Sequence, residues 1–166
     1  MAHTQHKAHA KQPVRARVLT CSDSRTPETD HSGRLIRERL EKDGHTVLGH
    51  AIVPDEPEQI RERLATWMAD GETQVIIING GTGISPRDST YEVVDRLLGK
   101  RIDGFGELFR HLSFQEIGSA AMMSRAVAGL CGQCILISVP GSENAVRLAM
   151  EQLILPELRH MAWLAG

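Results

Sequence analysis

The run QVIIIN, residues 74–79, constrains the fold more than any other stretch of the 166-residue chain. Its β-branched apolar side chains do not alternate with polar ones, which indicates a strand that is covered on both faces. A sheet that contains such a strand needs a layer of helices on each side. The sequence therefore predicts a three-layer α/β/α architecture.

Other strands and helices alternate along the chain on either side of this run. Residues 14–20, 46–53 and 134–140 have the apolar, β-branched character of strands, and segments with helical periodicity separate them. Strands that are joined through helices predict a mostly parallel central sheet. Residues 103–128 are predicted to form one or two helices, and the last helix is predicted to be kinked or interrupted at Pro156.

The boundaries of the folded part follow from composition. Residues 14–166 contain no linker and no repeat, so we expect a single domain there. Residues 1–13 are polar and aperiodic, and we expect a flexible amino-terminal tail. His3, His6 and His9 recur at every third position of that tail. We interpret them as solvated side chains rather than metal ligands, because nothing nearby would order them.

Composition and charge exclude several classes of partner. A net charge of −2 gives no reason to expect nucleic acid binding. No apolar run approaches the ~20 residues of a membrane helix, and the amino terminus lacks the apolar core of a signal peptide. Three cysteines suit a reducing compartment. We expect a cytoplasmic protein with neither a nucleic acid nor a membrane partner.

The CGQC sequence and His111 suggest redox and acid–base chemistry, but we interpret both as structural. Cys131 and Cys134 form the sequence CGQC, but this pair leads into a strand, whereas a thioredoxin-type pair begins a helix. We expect inert thiols there. His111 is interpreted as a surface or packing residue rather than a catalytic base.

The ends of the predicted strands carry the polar and glycine residues of the chain's best candidate site. Ligands of such folds bind at the carboxyl ends of the strands. The four strand ends read TCSDSR (20–25), VPDE (53–56), NGGTG (79–83) and VPGSEN (139–144). Three of them carry an acid and two carry glycine, so we expect a binding site where they meet.

The glycine loop NGGTGISPRDSTYE follows the buried strand directly. It has no lysine, which excludes a P-loop, and Pro86 occupies the position of the third glycine of a dinucleotide fingerprint. Glycines still let the backbone approach an anion closely. Ser89 and Glu92 are predicted to form a capping box at the next helix. The loop is interpreted as a phosphate cradle, with a tight strand-to-helix turn as the alternative.

Asp88 within this loop, and Asp55 at the preceding strand end, favour a metal in the same crevice. An acid beside a bound phosphate is repulsive unless a cation lies between them. Two carboxylates with phosphate oxygens and waters form a typical Mg²⁺ environment. The alternative is that both aspartates cap helices, since both stand just before predicted helix starts.

The same residues carry a resemblance. NGGTGISPRDSTYE is similar to the GGTG-x-x-x-RD-x-T-x-E signature of the molybdopterin adenylyltransferase family, the MoaB/MogA group that includes the G domain of gephyrin. The likeness extends from about Val14 to Leu158 and includes SDSR, D-x-SG, AIVPDE and SRAVAG. FRHLSFQEIG and PGSENA resemble the MoaB branch more than the MogA branch. One departure is Tyr91, where the family more usually has proline.

The resemblance implies a reaction and a set of site residues. Family members couple molybdopterin to AMP from ATP with Mg²⁺ and release pyrophosphate. By position, Asp55 and Asp88 match the two acids that the chemistry and the metal require. The residues that match ligand-binding surfaces are Ser22, Asp23, Gly80, Gly81, Thr82, Gly83, Arg87, Ser124, Gly141 and Asn144.

Other functions and an assembly state are also considered. A non-catalytic member of the family that binds the pterin or assists assembly is one alternative, although the intact Pro86-Arg87-Asp88 favours activity. An unrelated nucleotide-binding module is the other. The resemblance implies a homo-trimer or hexamer, and other proteins of molybdenum cofactor biosynthesis are possible partners. The apolar segment 104–123, with Phe105, Phe109 and Phe114, is expected to supply a subunit contact.

Overall fold

A computed structural model describes residues 12–166 of the chain. The strands are β1 (Arg15–Cys21), β2 (Thr46–Val53), β3 (Val75–Asn79), β4 (Lys100–Arg101), β5 (Val127–Cys131) and β6 (Cys134–Val139). The α-helices are α1 (His31–Lys42), α2 (Pro57–Met68), α3 (Thr90–Leu97), α4 (Asp103–Ile117), α5 (Glu143–Ala149) and α6 (Leu155–Ala165). A 3₁₀ helix spans Gly118–Met123, and a π-helix spans Met150–Ile154. No helix within the described part is both long and apolar enough to cross a membrane.

The six strands form one mixed sheet in the order β2-β1-β3-β6-β5-β4. The first four strands of that order are parallel, and the last two pair antiparallel. The prediction of a mostly parallel sheet is therefore confirmed. The helical prediction for residues 103–128 is wrong at its end, because Val127–Cys131 forms β5. That short strand forms a hairpin with β6, and local helical periodicity gives no information about such pairing.

Helices cover both faces of the sheet, as the run QVIIIN predicts. Val75 and Ile77 face a core made with α1, α4, α5 and α6, while Ile76 and Ile78 face a second core made with α2 and α3. Successive side chains of a strand point to opposite faces, so a strand with a helical layer on each side must be apolar throughout. All five residues of β3 are buried, including Asn79. The three-layer prediction is confirmed.

The final helical segment changes geometry where the sequence contains a proline. The π-helix Met150–Ile154 leads into α6, whose first turn holds Pro156. Proline has no N–H to donate and is tolerated in the first turn of a helix. The predicted interruption at Pro156 is therefore confirmed as a change of helix type.

A buried polar network joins the ends of the central strands. The Asn79 amide donates to Thr20 Oγ1 at 2.9 Å, and the Thr20 hydroxyl donates to Asp30 Oδ2 at 2.6 Å. Asp30 also accepts the N–H of Gly33 as the N-cap of α1, and it lies 2.8 Å from His50 Nε2 on β2. Buried polar groups must be paired, so this chain of bonds sets the relative positions of three strand ends and one helix start.

The hydrogen-bond partners of Asp30 favour the ionised form of its carboxyl group. Burial raises the pKa of this carboxyl, but hydrogen bonds from His50, Thr20 and Gly33 together bring the pKa below its ordinary value. A carboxyl with a lowered folded-state pKa contributes stability above the ordinary value, and that contribution is lost as the pH falls through the lowered one.

We predict that Asp30→Asn lowers the free energy of unfolding by about 1–3 kcal/mol at pH 7, because buried donors lose an acceptor. Urea unfolding should measure it. The difference from wild type should shrink as the pH falls below about 4, where the wild-type carboxyl also begins to protonate. Glu28→Gln changes an exposed acid of the same loop and should shift stability by less than about 0.5 kcal/mol. Equal effects of the two variants would contradict the role of the network.

Candidate functional site

Four parallel strands end at one edge of the sheet, where their loops surround a crevice. The end of β1 lies between β2 and β3, and β6 follows β3. The chain runs from β1 to β2 on one side and then crosses back over β1 to β3 on the other, which makes this edge a topological switch point. A cavity of about 270 Å³ opens there. Its lining includes Ser22, Ser24, Asn79, Gly80, Gly81 and Gly141.

A larger cavity of about 500 Å³ adjoins the crevice between the β1 loop and the end of β2. Ile52, Val53 and Pro54 supply apolar walls, and Asp23 and His50 supply polar ones. Ser22 and Arg25 line both cavities. The two cavities therefore meet at the loop SDSR, as the sequence predicts for a strand end that faces a site.

The glycine loop begins with two residues whose backbone requires glycine. Gly80 has φ +98° and Gly81 has φ +65°, in the left-handed region that other residues rarely adopt. A Cβ at Gly80 would overlap the carbonyl oxygen of Cys21. A Cβ at Gly81 would overlap Thr90 Oγ1 and lie 2.5 Å from Asp55 Oδ2. Both glycines are thus needed for the close approach of the loop to β1 and Asp55.

Arg125 holds the same loop from outside the crevice. Its Nε donates to the carbonyl of Thr82 at 3.0 Å, and its Nη2 donates to the carbonyl of Gly83. In a trans peptide the next N–H points opposite the carbonyl, so these N–H groups point away from Arg125. Within residues 12–166, no protein acceptor bonds the N–H groups of Gly81, Thr82, Gly83 and Ile84. The loop thus has the free donors that an anion cradle requires.

The prediction for Ser89 needs correction, and Arg125 is a residue of the site that the sequence analysis did not single out. Ser89 precedes α3, but its side chain does not cap that helix, so the predicted capping box is wrong. Its hydroxyl donates to Asp55 Oδ1 at 2.8 Å, and Glu92 pairs with Arg125 instead. Arg125 also lies over the ring of Tyr91, with its guanidinium carbon 4.8 Å from the ring centroid. The motif SRAVAG contained this residue, but only the fold places it beside the glycine loop.

Asp55 lies buried at the carboxyl end of β2 and faces the glycine loop. Its Oδ1 accepts the N–H of Ser89 at 3.1 Å as well as the Ser89 hydroxyl. Asp55 thus stabilises the start of α3, although it precedes α2 in sequence. The alternative that Asp55 is a helix N-cap is therefore wrong, because Glu56 is the N-cap residue of α2 and Ser89 is that of α3. Its Oδ2 lies toward Gly81.

Asp88 lies half-buried against the other end of the glycine loop. A Cβ at Gly83 would lie 2.7 Å from Asp88 Oδ2, and that oxygen accepts the N–H of Ser85 at 2.9 Å. Its side chain bonds backward into the loop, so Asp88 does not cap α3. The two predicted acids thus lie against Gly81 and Gly83, two residues apart on one loop.

Arg87 contacts carboxylates rather than the loop backbone. It donates to both oxygens of Asp23 at 2.9–3.1 Å and to Glu56 at 2.8 Å. Hydrogen bonding from Arg87 lowers the pKa of Asp23 and keeps that carboxyl ionised. Asp23 in turn accepts the N–H of Asp55 at 3.0 Å. This cluster joins the SDSR loop, the end of β2 and the glycine loop.

Two of the predicted site residues lie elsewhere. Ser124 lines a separate cavity of about 260 Å³ near α4, together with Arg110 and Arg125. Asn144 is exposed in the first turn of α5, outside the lining of the crevice, whereas Gly141 of the same motif lies beside Gly80. Ser22, Gly80, Gly81 and Gly141 line the crevice, and Thr82 is buried in its loop.

The donor set fits Mg²⁺ better than a metal that needs a full protein cage. Within residues 12–166, no group of three or more His, Cys, Asp or Glu side chains could hold an ion. Mg²⁺ commonly takes one or two carboxylates and completes its shell with waters and substrate phosphates. Asp55 Oδ2 and the Asp88 carboxylate, both next to free N–H donors, are a suitable pair.

The two buried cysteines are poorly suited to act as nucleophiles. Burial raises the pKa of Cys21, at the end of β1, to about 12. Burial likewise raises the pKa of Cys134 to about 12 at the β5–β6 hairpin. A protonated thiol is a poor nucleophile. His111, predicted to be a surface or packing residue, is exposed on α4.

Comparison with known proteins gives related sequences along almost the whole chain. Residues 17–160 match a family described as a probable molybdopterin binding domain. Molybdenum cofactor biosynthesis protein B of Bacillus anthracis is 49% identical over 164 residues, which cover 98% of this chain and 97% of the relative. The protein of the same name from Halalkalibacterium halodurans is 50% identical over 162 residues, covering 97% and 95%.

Solved structures agree with these sequences. A crystal structure of a molybdenum cofactor biosynthesis protein B is 48% identical, with a TM-score of 0.90 over 93% of this chain and 96% of that one. The tungsten cofactor synthesizing protein MoaB of Pyrococcus furiosus is 34% identical, with a TM-score of 0.83 over 93% and 98%. The Mog protein of Mycobacterium ulcerans is 28% identical, also at 0.83, over 92% and 99%.

We predict that Gly81→Ala destabilises the protein more than Gly71→Ala. Gly71 has φ +72° with open space around it, so its substitution adds only backbone strain of about 1–2 kcal/mol. Gly81→Ala also adds a clash with Thr90 and Asp55, so it should lower the free energy of unfolding by about 1–3 kcal/mol more than Gly71→Ala does. Urea unfolding of both variants tests this, and equal losses would show that Asp55 does not lie against the loop.

Proposed function

The chain belongs to the MoaB-type family of molybdenum cofactor biosynthesis proteins, and on that premise we propose that it is a molybdopterin adenylyltransferase. In this proposal the crevice binds ATP and molybdopterin with Mg²⁺. A terminal phosphate oxygen of the pterin attacks the α-phosphorus of ATP. A new P–O bond forms, the bond to the bridging oxygen breaks, and pyrophosphate leaves.

One observation carries this proposal: two carboxylates flank a glycine loop whose N–H groups are free. Asp55 lies against Gly81, Asp88 lies against Gly83, and Arg125 holds the intervening carbonyls outward. N–H donors attract phosphate oxygens, whereas carboxylates repel them. A phosphate ligand and a divalent cation together reconcile these two features of one loop.

Each residue has a part in such a reaction that needs no covalent enzyme intermediate. The loop N–H groups would bind phosphate oxygens and align the α-phosphorus for attack. Asp55 and Asp88 would hold the Mg²⁺, which neutralises charge as two anionic phosphates approach. Arg125 and Ser89 would be positioning residues. Arg125 orients the carbonyls of the glycine loop, and Ser89 orients the Asp55 carboxylate.

We predict that Asp88→Asn lowers the adenylylation rate by tens-fold to hundreds-fold while the fold is retained. The lost bond to Ser85 should reduce stability by only about 0.5–2 kcal/mol. The assay contains purified protein, molybdopterin and Mg-ATP, and it detects the adenylylated pterin. Glu58→Gln, an exposed acid at the start of α2, is the matched control and should leave the rate unchanged.

Three outcomes of this assay decide between the functions. A near-normal rate for Asp88→Asn would contradict the assignment of that residue. Pterin binding without any turnover by wild type would support a non-catalytic role in the pathway instead. Nucleotide turnover that does not depend on the pterin would indicate an unrelated nucleotide-binding module.

We predict that Asp55→Asn lowers the adenylylation rate by a similar factor. The double variant with Asp88→Asn should have a rate only slightly below that of either single variant. If both carboxylates serve one metal–phosphate centre, the second loss removes little that remains after the first. The same assay on all three variants measures this. Rate losses that multiply in the double variant would indicate two independent roles.

We further propose that the chain forms a closed ring of three, or pairs of such rings. The segment 104–123, which we expect to form the contact, is only partly buried within one subunit. Phe105 and Phe109 lie in the core, but Phe114 is 60% exposed. Leu108, Ile117, Met122 and Met123 are exposed with it, at 46–78%. So many exposed large apolar side chains within the short segment 108–123 favour a subunit contact.

We predict that light scattering at micromolar concentration gives at least three times the chain mass of 18.3 kDa. Phe114→Asp together with Met122→Asp should lower that mass, because charges would be buried in the contact. Phe109 is unsuitable for this test, since a charge there would disrupt the core. Leu164→Asp changes an equally exposed apolar side chain on α6 and should leave the mass unchanged. A monomeric wild type would refute the assembly.

A further inference from the structure

Arg25 differs from the other arginines around the crevice in having no carboxylate partner. Arg87 is paired with Asp23 and Glu56, and Arg125 is paired with Glu92. Within residues 12–166, no carboxylate lies within 4.0 Å of Arg25; its guanidinium donates one hydrogen bond, to the carbonyl of Thr29 at 3.2 Å. Most of its five N–H donors therefore remain available.

The position of Arg25 joins the two cavities of the site. It lines the crevice of about 270 Å³ and the larger cavity of about 500 Å³. Among the described residues, it is the one lysine or arginine in the lining of either cavity. Asp23 also lines the larger cavity, but its charge is matched by Arg87. Arg25 and Ser22 are the two residues that line both cavities, so Arg25 can contact a ligand in either one.

The loop that carries Arg25 is fixed by several local hydrogen bonds. The Ser22 hydroxyl accepts the N–H of Ser24 at 3.3 Å and that of Arg25 at 3.2 Å. Farther along the loop, the N–H of Thr26 donates to Thr29 Oγ1 at 2.9 Å. A side chain on such a braced loop loses less conformational freedom when it binds a ligand.

We infer that Arg25 forms a phosphate-binding subsite where the two cavities share their lining, in the same crevice as Gly80 and Gly81 of the glycine loop. The planar guanidinium suits bidentate bonding to phosphate oxygens, and an unpaired charge need not first break an ion pair. The identity of the phosphate rests on the proposed function: it is one of the nucleotide phosphates or the terminal phosphate of the pterin. Arg87, although it belongs to the loop motif, instead holds Asp23 and Glu56 in place.

Direct binding to the full chain tests this subsite independently of turnover. Calorimetric titrations with Mg-ATP, with magnesium pyrophosphate and with molybdopterin should be made on wild type, Arg25→Gln, Arg25→Lys and Arg34→Gln. Arg34 bonds the carbonyls of Pro27 and Glu28 on the same loop but lines neither cavity, so its variant removes an equal charge as the control.

We expect Arg25→Gln to weaken binding by at least about tenfold and to reduce its dependence on ionic strength. Arg25→Lys should restore part of the affinity, because it keeps the charge but not the planar fork. Weaker binding of Mg-ATP and pyrophosphate assigns the subsite to the nucleotide, and weaker binding of molybdopterin alone assigns it to the pterin. Arg34→Gln should bind all three as wild type does.

Other outcomes separate this inference from the proposed function. Unchanged affinity of Arg25→Gln for all three ligands would overturn the subsite and leave the proposed function intact, as would equal losses in Arg34→Gln. Wild type that binds Mg-ATP through Arg25 but forms no adenylylated pterin would overturn the proposed function alone. Wild type that binds none of the three would overturn both.

Discussion

The hydroxyl of Thr20 is the contact on which the arrangement of the site depends. It accepts from Asn79 at the end of β3 and donates to Asp30 at the start of α1, and Asp30 reaches His50 on β2. Thr20, Asn79 and Asp30 are all buried, and an unpaired polar group there would be costly. Because the bonds must be made, the strand ends keep one relative position, and the loops that follow them start from fixed points.

The glycine loop shows how a short segment acquires its chemistry from distant residues. Arg125, far along the chain, donates hydrogen bonds to the carbonyls of Thr82 and Gly83 and so fixes their orientation. Asp55, from the loop after β2, accepts the N–H of Ser89 just before α3, and its second oxygen lies toward Gly81. The loop by itself could adopt many conformations, and these contacts select one in which its donors are free.

Charge around the crevice is unevenly matched, and this determines where an anion can bind. Arg87 and Arg125 are neutralised by neighbouring carboxylates and serve to hold loops together. Arg25 retains an unmatched charge beside the free N–H groups of the loop. The carboxylates of Asp55 and Asp88 add negative charge that a divalent cation would balance. The loops around the crevice thus contain both positive and negative groups, which supports the proposed binding of phosphates together with Mg²⁺.

The sequence by itself determined the layered architecture, because an apolar run such as Val75–Ile78 has no stable place except between two layers of helices. It also determined that the four parallel strand ends would lie at one edge, since parallel strands joined through helices end on the same side. It did not determine β5, the partners of Ser89, the position of Arg125 beside the loop, or the separation of Ser124 from the crevice. Each of these features depends on side chains that are far apart in the chain, so only the tertiary structure decided them. Local periodicity and spacing hold no information about which distant group satisfies a buried hydrogen bond or charge.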